Sequence, residues 1–104
     1  MDFTADDLLL ELDRTEATLA EAVAHAGQGC SPEFRRRLEG HVRSLRPMLS
    51  ADDLVLAMDT MEAAERVLDA EDPAAPLLML AMARKTLGAV LQRQANARRL
   101  REAA

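Results

Sequence analysis

TADDLLLELDRTEA, residues 4–17, returns as SADDLVLAMDTMEA, residues 50–63, 46 positions further along a chain of 104. With Ala5 set on Ala51, the residues Asp6, Asp7, Leu8, Leu10, Asp13, Glu16 and Ala17 fall on identical partners. Phe3/Leu49, Thr4/Ser50, Leu9/Val55 and Leu12/Met58 are conservative pairs. Each copy reads as the start of a helix. Thr4 and Ser50 are N-cap residues, because a hydroxyl there accepts one of the backbone N–H groups that the first turn leaves unpaired. Asp7 and Asp53, three residues on, stand where a capping box places an acid, although Glu or Gln is the usual choice. Phe3 with Leu8, and Leu49 with Leu54, have the spacing of a hydrophobic staple. The early aspartates suit the positive end of the helix dipole.

A fainter echo follows each phrase. SPEFRRRLEGHV (31–42) and APLLMLAMARKTLGAV (75–90) each set a proline near a helix start. Each then runs through a basic pair to Gly40 or Gly88, here at an offset of 48. Those glycines read either as tolerated mid-helix residues, costing about 1 kcal/mol each against Ala, or as points of close helix approach.

Four helices are expected. The first covers about 5–26 and stops at the AGQG turn, with Gly27 as its cap. The second covers about 32–46, with Ser31 as N-cap, Pro32 at the first helical position and Pro47 beyond its end. The third covers about 51–71, and the fourth starts near 75 and reaches about 101. Apolar spacing agrees: Leu8, Leu12, Leu19 and Val23 in the first; Phe34, Leu38, Val42 and Leu45 in the second; Leu54, Met58, Met61 and Leu68 in the third; Leu80, Leu87 and Leu91 in the fourth. The expected fold is all-α, a four-helix bundle made of two tandem, internally repeated hairpins (about 3–46 and 49–101) in a single domain over 1–104. Composition agrees, with Leu, Ala and Met carrying the apolar content, two Phe the only aromatics, and β-branched residues scarce.

The apolar run Leu77 to Ala83 is too short to span a bilayer, the acidic N-terminus lacks the pattern of a signal peptide, and the single cysteine, Cys30, permits no internal disulfide. A cytoplasmic protein without a membrane partner is expected. Charge alternates by segment: −6 over 1–26, +3 over 27–50, −7 over 51–73 and +5 over 74–104, for a net −5. Antiparallel packing accounts for this by setting acidic helices beside basic ones. The other reading gathers Arg35, Arg36, Arg37, Arg93, Arg98, Arg99 and Arg101 into a basic patch for an acidic partner or nucleic acid. The negative net charge and the absence of aromatic stacking platforms count against nucleic acid.

No P-loop, GxGxxG, GxSxG, HExxH or paired CxxC occurs. Glu21 and His25 share a helix face, but a di-iron bundle needs two Glu-x-x-His pairs, and the second half of the chain has no histidine. Neither a catalytic residue, a metal nor a cofactor is expected. Methionine is the more informative residue. LLMLAMA, residues 77–83, is apolar all round, so it is either fully buried or part of an interface. Leu77, Leu78, Met79 and Met82 are the candidate contact. The tail, about 92–104, is expected to overhang a shorter bundle as a basic arm. The leading functional expectation is therefore a non-enzymatic helical adaptor or assembly protein that binds protein, including itself. The alternative is a nucleic-acid-associated assembly factor, by architectural analogy with phage small-terminase subunits, whose helical hairpins form rings; no motif carries that analogy.

Overall fold

The computed structural model describes residues 3–104, which form α1 (Ala5–Ala24), α2 (Pro32–Leu45), a single 3-10 turn (Arg46–Met48), α3 (Ala51–Asp69) and α4 (Ala74–Ala103). No strand occurs among the described residues. The caps explain where the helices begin. Thr4 Oγ1 accepts the Asp7 N–H at 3.1 Å while Asp7 Oδ2 accepts the Thr4 N–H at 3.0 Å, so the aspartate closes a complete capping box. Hydrogen bonding from Thr4, its backbone N–H first and its side chain second, holds the Asp7 carboxyl below the usual carboxylate range. Ser31 and Ser50 cap α2 and α3 with the hydroxyl half alone, accepting the N–H groups of Phe34 and Asp53; neither closes a reciprocal box.

Helix ends differ from expectation by a few residues, as is usual where fraying and local hydrogen bonds decide them. α1 stops at Ala24, and Gly27 lies beyond it at φ +80°, in the left-handed region that suits glycine. The turn has a second task. The N–H of Gly27 donates to Val67 O at 2.9 Å, and that of Gly29 to Leu68 O at 2.7 Å; the Cys30 N–H donates to Asp69 Oδ1 at 2.8 Å. The α1–α2 loop thereby satisfies carbonyls that the end of α3 leaves unpaired. α2 ends at Leu45 rather than 46, and Pro47 sits inside the 3-10 turn, where its missing N–H costs nothing.

Successive contacts run in opposite directions along α1 and α2 (Glu11 to His41, Thr18 and Glu21 to Arg37) and along α1 and α4 (Ala5 to Glu102, Glu16 to Arg84). Both pairs are antiparallel. α1 and α3 pack together, with α2 laid against one side of that pair and α4 against the other.

The core has two apolar clusters, each drawn from all four helices. One contains Leu19, Leu38, Val67, Leu68 and Leu80; the other contains Leu8, Leu12, Leu45, Leu87 and Leu91. Each fully buried Leu contributes about 1.5–3 kcal/mol. Between the clusters lie the buried Thr15 and Thr60 and the half-buried pair Glu16–Arg84, at 3.0 Å. Thr60 Oγ1 donates to Leu56 O at 2.8 Å, whereas the Thr15 hydroxyl has no partner among the described residues. Neither mid-helix glycine marks a close approach. A Cβ on Gly40 would meet nothing within 4 Å, and one on Gly88 would only touch Glu16 Oε1 at 4.0 Å.

Candidate interaction surface

α4 is apolar on two opposite sides. Its inner side sends Leu80, Leu87, Leu91 and Ala95 into the core. Its outer side leaves Leu78 64% exposed, Met79 56% and Met82 64%, with Leu100 on the same side near the far end. Of the four residues expected to form a contact, these first three share the solvent side. Leu77, also half-buried, packs against the core cluster around Leu80. Isolated exposed leucines are ordinary, but three large apolar side chains within five residues of one helix form a contiguous patch.

α4 is also longer and more apolar than the run 77–83 implies. Over its most apolar eighteen residues mean hydropathy is 1.4 and 17% are buried, so by length and composition it is sufficient to cross a bilayer. Buried helices of water-soluble bundles meet the same criterion. Here Arg84 lies within that helix and binds Glu16 Oε2 through Nε at 3.1 Å and Nη2 at 3.0 Å.

The arginines separate into two groups. At one end of the bundle Arg37 binds Glu21 and Arg35 lies 3.7 Å from Glu65, while Arg36 is exposed. Arg37 also lies over the Phe34 ring, 5.1 Å from its centre. The hydrogen bond from Arg37 draws the Glu21 carboxyl below its ordinary range. At the other end Arg98 donates to Phe3 O at 2.9 Å and covers the Phe3 ring at 5.8 Å. Arg99 pairs with Asp6 at 3.3 Å, and Glu102 Oε2 accepts the Ala5 N–H at 3.0 Å. Asp6 and Glu21 are fifteen residues apart on α1, roughly 22 Å at the helical rise, so the seven arginines do not form one patch. The tail of α4 lies along the start of α1 as far as Glu102. Arg93 and Arg101 are exposed and make no ion pair among the described residues.

The structure also brings together residues that sequence spacing did not connect. On the α1–α2 face the buried Glu11 accepts from His41 Nδ1 at 2.9 Å, and His41 Nε2 lies 2.8 Å from Thr18 Oγ1. Arg37 Nη2 approaches the same hydroxyl at 3.4 Å. Glu11, His41, Thr18 and Arg37 line an open hollow of about 500 Å³. Carboxylate, imidazole and hydroxyl stand in the order of a hydrolytic triad. The Thr18 hydroxyl is nevertheless held by three neighbours, including Arg14 O at 3.3 Å, and is 3% exposed. Thr18 lies in the middle of α1, where backbone N–H groups pair along the helix. The arrangement is a polar clasp between α1 and α2. The antiparallel register of those helices was the signal for it, since each step up α1 is a step down α2.

A second groove, about 330 Å³, opens between α2 and α3 over Leu38, Val42, Met58 and Met61, with Glu39, Arg43, Glu62 and Glu65 among its rim residues. His25 Nδ1 lies 3.2 Å from Gln28 Oε1. Burial pushes the Cys30 thiol up, with Glu65 adding to the effect, which disfavours the reactive thiolate. Among the described residues no three His, Cys, Asp or Glu side chains are grouped to hold a metal ion. No protein-family model, curated protein or solved structure matches this chain.

Proposed function

We propose that this protein is a non-enzymatic helical adaptor or assembly component whose working surface is the outer side of α4, and that it associates with itself there. One observation carries the reading: α4 keeps an apolar patch in water while its opposite side already serves the core. A helix that only completed a bundle would carry a polar outer side. The side-chain type fits as well, because methionine adapts to a partner's contour more readily than branched residues do. We further propose that the chain comprises two related hairpins descended from one. The repeated fourteen-residue phrase supports this reading, as does its position at the start of α1 and of α3.

The nucleic-acid alternative has less to draw on. Arg98 and Arg99 are occupied by Phe3, Asp6 and the α1 start, and the remaining exposed arginines are scattered.

Light scattering after size exclusion, at low and high salt, tests the self-association. A defined species of at least twice the 11.4 kDa chain mass is expected, and Met82→Lys should return it to one chain. A single-chain mass at every concentration would refute self-association. Retention on DNA at low salt, lost with Arg93→Ala and Arg101→Ala, would favour the alternative.

A further inference from the structure

The outer side of α4 has a spacing as well as a composition. Starting at Ala75 and ending at Leu100, exposed residues recur at intervals of 4, 3, 4, 3, 4, 3 and 4, the heptad rhythm of a two-stranded coiled coil. This stripe runs along roughly 38 Å of helix, on a molecule whose long axis measures 51 Å. The interval pattern reads the same in both directions. Turned end for end, the stripe falls on itself with every member opposite another member.

Resting on the reading that the protein self-associates through this side, we infer that two copies pair antiparallel along the whole length of α4, about a two-fold axis between Leu87 and Gly88. The register follows from the symmetry of the intervals. It places Ala75 opposite the second copy's Leu100, Met79 opposite Asn96, Met82 opposite Arg93 and Thr86 opposite Ala89. The largest apolar side chain at one end thus meets the smallest at the other. Met82 receives the aliphatic stem of Arg93, whose charge stays at the rim.

Charge selects this direction over the parallel one. Glu71 and Asp72 sit just before α4, exposed and without an ion pair among the described residues, and Arg101 is exposed near its other end. In a parallel pair Arg93 would face Arg93 and the two acidic corners would adjoin. In the antiparallel pair Arg101 lies within one turn of the second copy's Glu71 and Asp72. The interface is isologous and closes at two copies.

Cross-linking of the full chain decides the matter. In a Cys30→Ser background, Ala75→Cys and Leu100→Cys are made as separate proteins, checked for unchanged helicity, mixed and oxidised. A disulfide-linked species of twice the chain mass is expected from the mixture and from neither protein alone. Ala75→Cys linking to itself would establish a parallel pair and overturn the inference. A light-scattering dimer with no link in the mixture would overturn this register while leaving self-association intact. A monomer would remove both, and so would a monomer that floats with anionic phospholipid vesicles, which would assign the apolar side to a lipid surface.

Discussion

The phrase at 4–17 and its echo at 50–63 start their helices alike and bury them differently. In the first copy Ala5, Leu8 and Leu12 are inside. In the second, the equivalent Ala51 and Met58 are exposed and Leu54 is half-buried. The second copy instead turns Thr60 and Ala63 inward, whose counterparts Arg14 and Ala17 face water. The acids differ too. Asp7 closes its own capping box, whereas Asp53 reaches across to Gln94 of α4. A cap depends on four consecutive residues and travels with the phrase. The buried face depends on how the neighbouring helices lie alongside: α1 and α3 share α2 and α4 as neighbours but meet them with different positions of the phrase.

The largest contrast should appear at the paired leucines. Leu8→Ala opens a cavity in the core and should cost about 3 kcal/mol, against about 1 kcal/mol or less for Leu54→Ala, as read from urea midpoints. Equal losses would mean that both phrases bury one face. Next comes Glu11, whose counterpart Ala57 is simply apolar and buried. Glu11→Gln should cost about 1–3 kcal/mol by weakening its bond to His41 inside the α1–α2 interface; no change in thermal unfolding would make the clasp ornamental.

The caps give a smaller and more even effect. Thr4→Ala and Ser50→Ala should each cost about 1 kcal/mol, but only Thr4→Ala should also change the acid response. Asp7 and Glu21 have lowered folded-state values, so the unfolded chain binds their protons more readily. Their contribution is present above the ordinary carboxylate range and is lost as pH falls through the folded values. Stability should therefore drop below about pH 4, less steeply in Thr4→Ala. The backbone N–H of residue 4 survives that substitution, so Asp7→Asn is the complete test: an unaltered acid limb there would exclude the capping box as a source of the pH dependence.

Two substitutions should stabilise by about 1 kcal/mol or less. Thr15→Val removes a buried hydroxyl without a partner among the described residues, at a site whose echo is Met61. Gly40→Ala removes backbone freedom where the added methyl meets nothing. A loss of stability in either variant would show a demand on that position that the packing does not display.

Helix identity was legible because its causes are local: Thr4, Ser31 and Ser50 act within one turn, and the apolar periods pick out much of the core, Leu80, Leu87 and Leu91 of α4 included, although Val23 and Met58, read on the same spacing, are exposed. What was not legible depends on residues distant in sequence. Gly27 was readable as a turn residue, but not its N–H bond to Val67, forty residues away. His41 has Glu39 two residues away in sequence, yet its partners are Glu11 and Thr18 on another helix. The segment 77–83 of α4 was ambiguous in principle, because a run apolar on every side carries no mark of which side faces inward. Its tail read as a free arm because the groups it binds, Phe3 O through Arg98, Asp6 through Arg99 and the Ala5 N–H through Glu102, belong to the opposite end of the chain.

That last contact bears on when the protein finishes folding. Phe3, Ala5 and Asp6 are held by Arg98, Glu102 and Arg99, so the start of the first helix awaits the last turns of the fourth. During synthesis the ribosome delivers those turns some ninety residues later. Both core clusters also need α4. A nascent chain that has emerged only as far as α3 therefore lacks one wall of both clusters, and its native core closes only after α4 is released.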